Sequence, residues 1–268
     1  MKYAHNRAPS KLLPLVAALS LGMASAAYAE EDYPMGDEGD FISIEQSGDG
    51  NSAFSNQSGS FNSGQIVQEG SFNQAILDQQ GNFNSAEIRS MGESNTVEVS
   101  QMGNEQHATV TQEGSLNAAG VVQEGEMNHF YANQAGHENT LSVSQQGFEN
   151  HAGVEQHGVA NQSTQEQSGE QNHSYVAAYG EFNSSHTLQE GSNNGAYTFQ
   201  EGTGNVALTT QQGADNYAFA SNHGMNNLSD ISQMGEANMA GLCQQGSNHT
   251  ALVTQSGSGN NASALQGF

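Results

Sequence analysis

The sequence is poor in the residues that usually hold a fold together. It has 1 Cys, 3 Pro and no Trp in 268 residues, with 4 Lys and Arg set against 28 Asp and Glu. A lone Cys243 cannot close a disulfide within one chain, which excludes oxidative stapling and leaves the thiol as a small surface side chain. The shortage of basic charge argues against nucleic acid and anionic lipid surfaces as partners. Apolar residues make up 34% of the chain, thin for a conventional core. Beyond the first thirty residues, no apolar run is long enough to span a membrane.

The N-terminal segment follows different rules. Lys2, Arg7 and Lys11 form a positive head, Leu12 to Ala26 a short apolar run, and Ala27-Tyr28-Ala29 a small-x-small cleavage signal. These features predict a signal peptide over residues 1–29, a short acidic leader over 30–39 and a repeat region over 40–268. Cleavage after Ala29 leaves Arg89 as the only basic residue of the mature chain.

What is plentiful is glycine and side-chain amide, and both are timed. From Gly48 to Gly257 every eleventh residue is glycine, twenty in succession. Two residues before each stands Gln, except at Ser90, Ala178 and Asn222, and three residues after each stands Asn, except at Gln106 and His249. Five after the glycine comes Ala or Ser, as at Ala53, Ala75 and Ser185; seven after comes an aliphatic residue, as at Ile66, Val99 and Val143. Asn-x-Ala-x-Val-x-Gln alternates with period two over seven residues, the pattern of a strand with one buried face. The remaining x-Gly-x-x is a turn, with glycine available for positive φ. Each unit is one strand and one turn, and about 21 strands fit between Asp40 and Gln266.

A repeat of invariant length signals a solenoid, because each unit buries its face only against its neighbours. Eleven residues are too few for a strand and its return path, so two units make a coil of 22 residues. His107, His129, His151 and His173 lie 22 apart, and Tyr131, Tyr175, Tyr197 and Phe219 keep the same lattice. The fold expected is all-β: a two-sheet β-solenoid of about ten coils that stacks into cross-β amyloid.

In such a stack like residues lie above like, about 4.8 Å apart, and amides can bond up the ladder with no buried polar group left unpaired. The core ladders expected are Gln57, Gln68, Gln79, Gln101, Gln112 and Gln123 for one amide, and Asn62, Asn73, Asn84, Asn117 and Asn128 for the other. Terminal strands would expose unpaired backbone, and no capping element is legible at either end. Ile42, Ile44 and Gln46 at one end, and Asn260, Ala262, Ala264 and Gln266 at the other, are the expected polymerisation strands.

Repeats of the form Gln-x-Gly-x-x-Asn-x-Ala-x-x-x-Gln resemble the curlin repeat of bacterial curli over residues 40 to 268. The resemblance implies an extracellular amyloid fibre subunit of biofilm, serving adhesion and cell aggregation. It also implies a periplasmic chaperone, an outer-membrane secretion pore and a minor nucleator subunit as partners. The ending Val253 to Gln266 resembles the last repeat of the major subunit. The acidic leader is shorter than those of familiar major subunits, and the repeats about twice as many.

No enzyme constellation is present: Ser, His and Asp sit at repeat-surface positions, and Gly48-x-Gly50 lacks the strand-loop-helix setting of a phosphate loop. Glu69, Glu113, Glu124, Glu190 and Glu201 follow the clock glutamines as solvated gatekeepers. No cofactor is expected. The one candidate metal site is the row His107, His129, His151 and His173, whose imidazoles could hold Zn²⁺ or Cu²⁺ or serve as an exposed polar stripe. Three functions compete: the self-assembling structural subunit, its nucleator, and a soluble β-solenoid adhesin or ice-binding protein. The last needs a flat outward threonine array, whereas Thr187, Thr198 and Thr209 fall in inward slots.

Overall fold

Alternation dictates strands with one dry face, and an unvarying eleven-residue step dictates that those strands return to the same two places. The computed structural model describes residues 26–32 and 39–267 and has this form. Its strands run from β1 (Ala26–Asp32), β2 (Phe41–Ser47) and β3 (Ser52–Ser60) to β21 (Thr250–Ser258) and β22 (Asn261–Gln266). Odd-numbered strands form one 11-stranded sheet and even-numbered strands the other. All pairing is parallel, and from β2 onward every residue meets the one 22 positions away, as Val99 meets Val121 and Gln101 meets Gln123.

β1 is different. It lies on β3 with Glu31 opposite Gln57, an offset of 26, so it is outside the clock. It also straddles the expected cleavage point after Ala29. Residues 1–25 of the expected signal peptide and 33–38 of the leader lie outside the described residues.

Interior strands are nine residues long, not seven, because the clock glycine lies inside the ladder, as in Ser63–Ser71. Gly70 has φ 108°, and a Cβ there would come 2.1 Å from the carbonyl oxygen of Gly92 in the next coil. Close approach of backbones therefore excludes every side chain at this beat from Gly48 to Gly235. The turn itself is two residues, and its left-handed position falls two past the glycine on ordinary residues such as Phe72, φ 58°. That conformation costs roughly 1–2 kcal/mol for an L-residue; the ladder bond from Phe72 N–H to the Asp49 carbonyl, 2.9 Å, helps offset it. The side chain points to solvent.

The space between the sheets is dry in two stretches. One runs from Ala53 to Val154 through Ile66, Leu77, Ile88, Val99 and Phe130, the other from Ala207 to Ala251 through Ile231 and Leu242. Burying each large aliphatic side chain contributes about 1.5–3 kcal/mol. Between the two stretches the same slots hold buried Ser163, Gln165, Ser174, Thr187 and Thr198, so alanine and valine do not fill the core throughout. Gln165 there donates to the Gly153 carbonyl at 3.0 Å and accepts from the Ser174 hydroxyl at 3.0 Å.

Candidate functional site

Two amide ladders reach both ends of the stack. In the glutamine ladder each Nε2 donates along the stack to the Oε1 of the residue 22 positions on: Gln101 to Gln123 at 2.9 Å, Gln123 to Gln145 at 2.8 Å. The second hydrogen goes to the facing sheet, as from Gln123 to the His107 carbonyl at 3.0 Å. The asparagine ladder runs the other way. Asn150 Nδ2 donates back to Asn128 Oδ1 at 3.1 Å, and also to the carbonyls of Gln146 and Gly169 at 3.3 and 2.9 Å. Its own backbone N–H joins the same Oδ1 at 3.1 Å.

Gln57, Gln68, Gln79, Gln101, Gln112 and Gln123 are buried in the first ladder, and Asn62, Asn73, Asn84, Asn117 and Asn128 in the second. The glutamine ladder breaks where the clock does. Ser90, Ala178 and Asn222 cannot reach upward, so Oε1 of Gln112, Gln200 and Gln244 has no hydrogen-bond partner.

The same deficit marks the N-terminal end, where the Oε1 atoms of Gln46 and Gln57 are unpartnered. At the C-terminal end the last glutamines, Gln255 and Gln266, each spend one amide hydrogen on a carbonyl, Met239 and Thr250. One donor on each is left facing outward along the axis. Asn260 donates to Asn238 at 2.8 Å and so presents its Oδ1 to the end. One end thus offers glutamine acceptors and the Asn51 amide, the other glutamine donors and the Asn260 acceptor. Ile42, Ile44, Ala262 and Ala264 are half-buried on these end strands, lacking only a further coil to cover them.

Five stretches of the chain match the curlin associated repeat: residues 62–90, 92–125, 103–136, 224–257 and 235–267. This is a curlin-repeat protein. No curated protein matches the chain. Among the described residues, no helix of the curlin-repeat chain is long and apolar enough to cross a membrane.

The histidine row stands outside the ladders. His107, His129, His151 and His173 are register partners on β8 (His107–Ser115), β10 (His129–His137), β12 (His151–Val159) and β14 (His173–Glu181). Their ring centres are 5.9, 4.9 and 6.1 Å apart, and the His129 and His151 rings are 3° from parallel. Nitrogen lone pairs lie in the ring plane, so stacked rings do not converge on an ion between them. Among the described residues no cluster of three His, Cys, Asp or Glu is arranged to hold a metal. His129, His151 and His173 make a stacked stripe, with His107 tilted 49° at its end, along a shallow groove of about 340 Å³.

The aromatic lattice keeps its register but not its stacking. Tyr175 and Tyr197 are register partners, yet Tyr197 stacks on His173 at 5.4 Å and Tyr175 tilts against Phe199 at 5.9 Å. Glycines are the reason: Tyr175 leans to within 2.9 Å of where a Gly153 Cβ would sit, and Tyr217 and Tyr197 lie 3.4 and 3.6 Å from where a Gly195 Cβ would sit. Thr187, Thr198 and Thr209 are buried, so they give no outward array for ice.

Burial holds the pKa of His129 and His173 below the ordinary 6.5, and the neighbouring imidazoles push both further down. The unfolded chain therefore takes up these protons first. Stability from these two imidazoles is complete above about pH 6.5 and is lost as pH falls through their lowered folded values. We expect the denaturant midpoint to drop between pH 7.5 and pH 5. Replacing the four histidines by Asn is expected to flatten that dependence; an unchanged pH profile would remove the row as its source.

Proposed function

We propose that this curlin-repeat protein is a secreted structural subunit that joins head to tail into extracellular cross-β fibres for matrix cohesion and adhesion. The observation that carries this reading is the complementary polarity of the two ends. Head against tail, glutamine donors meet glutamine acceptors; head against head, Oε1 would face Oε1, and two desolvated acceptors cannot share a hydrogen bond. Both sheets also end in open strand edges, which template further strands. Solenoid architecture and a structural repeat family support the non-enzymatic reading. The chaperone, the secretion pore and the nucleator enter through the family resemblance.

Residues 30–268, diluted from denaturant, are expected to show a lag, then growth of thioflavin-positive fibres. Diffraction should give reflections at about 4.8 and 10 Å. Sonicated fibres should abolish the lag. A soluble, stable monomer at the same concentration would overturn the proposal.

A further inference from the structure

Between the ends lies an odd number of clock strands: β2 to β22 make 21. Each strand stacks on the one two before it, so odd and even strands keep to separate sheets. An incoming copy can meet this end in two ways. With its sheets aligned, its β2 lands on β22, and the place above β21 falls to its β1. Turned half a turn about the axis, its β2 lands on β21 and its β3 on β22, with no place left open.

The end residues discriminate between these arrangements. Counting on by 22, the turned copy sets Gln46 over Gln255 and Gln57 over Gln266, so both unpartnered Oε1 atoms meet a free amide donor. It sets Asn51, which lacks an asparagine beneath it, over the outward Oδ1 of Asn260. Two further departures from the clock then fall together. His249 stands in an asparagine slot near the C-terminal end, where its N–H bonds Asn227 Oδ1 at 3.0 Å. Asp40 stands in the first asparagine slot, its carboxylate accepting from the N–H and Nδ2 of Asn62 at 2.8 and 3.2 Å. In the turned junction Asp40 lies directly above His249, a donor-capable imidazole beneath a carboxylate. The aligned junction sets Asp40 over Asn260 and leaves His249, Gln255 and Gln57 to β1.

β1 is poorly placed for that task. It is off the clock, and cleavage after Ala29 removes four of its seven residues, Ala26 to Ala29. We propose that each end binds a second copy of this chain turned half a turn, so that the sheets alternate from copy to copy and His249 meets Asp40. The inference rests on the fibre reading above and on removal of β1. It places the histidine stripe on opposite faces of the fibre in successive subunits.

Cysteine pairs test it, in a Cys243→Ser background. Ser43 and Leu252 share an outward slot on β2 and β21, and the turned junction brings them to adjacent strands, within disulfide reach. The aligned junction brings Ser43 beside Ser263 on β22 instead. Within one chain both pairs are separated by the whole stack, roughly 50 Å at about 4.8 Å per coil. Fibres of Ser43→Cys/Leu252→Cys are expected to oxidise to a ladder of covalent multimers, and those of Ser43→Cys/Ser263→Cys to remain monomeric on a non-reducing gel. The reverse result, or fibres in which neither pair links, overturns the turned junction while leaving fibre formation intact. Failure of the parent chain to form fibres sinks both. An image reconstruction of unsubstituted fibres tests the same junction without cysteines: a half-turn screw with twenty-one strands per copy supports the proposal, and a pure translation overturns it.

Discussion

Gly147→Ala is expected to cost about 4 kcal/mol or more and to stop fibre growth, whereas Gly120→Ala is expected to be neutral or to stabilise by about 0.4–1 kcal/mol. Both are glycine-to-alanine changes within one stretch of the stack. At Gly147 φ is 122°, a backbone region that L-residues rarely enter, and the new Cβ would meet the Gly169 carbonyl oxygen at 2.0 Å. That oxygen belongs to the backbone ladder and cannot step aside without parting two coils. A Cβ on Gly120, in an outward slot, meets nothing within 4 Å, and the change only reduces the freedom of the unfolded chain. Strain of this kind costs about 1–3 kcal/mol before the clash is added. Guanidinium midpoints and growth rates of the two variants, measured side by side, decide the matter. If they behaved alike, close backbone approach would not be the reason for the glycine clock.

Much of this architecture is legible because a solenoid writes its geometry into spacing. The eleven-residue beat gives strand and turn, and the histidines at 22-residue intervals separate the two sheets on spacing alone. The amide slots are legible as well, since Gln and Asn at fixed phase can be buried only by pairing with their own kind. Other features leave no trace in residue type. Phe72 and Phe83 adopt left-handed turns that sequence would assign to glycine, because the glycine is needed two residues earlier for contact between coils. The opposed polarity of the ladders depends on which carbonyls each amide can reach: Gln123 has the His107 carbonyl across the core, while Asn150 has Gln146 and Gly169 beside it. Ring stacking does not follow from register alone, since Gly153 and Gly195 open places into which neighbouring tyrosines lean. The off-clock pairing of β1 is invisible for the same reason that the rest is clear: it obeys no period.

The asparagine ladder is expected to tolerate less than the glutamine ladder, and Asn150 shows why. Its Oδ1 accepts from both the N–H and the Nδ2 of Asn172 at 3.1 Å, so with its own donations it closes a turn, spans to the neighbouring beat and links adjacent coils. Asn150→Leu keeps a side chain of similar size, so the loss is polar and not a cavity. The carbonyls of Gln146 and Gly169 and the amide of Asn172 would be stranded in a buried turn, at about 1–3 kcal/mol each, for a total of about 4–6 kcal/mol. Asn150→Gln should cost only about 1–2 kcal/mol, because the protein already uses that substitution. Gln106, in an asparagine slot, donates to Met102 and Gly125 carbonyls at 2.7 and 3.1 Å, and its N–H still reaches Asn84 Oδ1 at 3.1 Å. What it gives up is the axial link, since its own Oε1 has no partner. Chemical denaturation should therefore rank wild type above Asn150→Gln and far above Asn150→Leu. Equal losses for Gln and Leu would mean that the axial amide bond, and not the bonding of the turn carbonyls, holds the coils together.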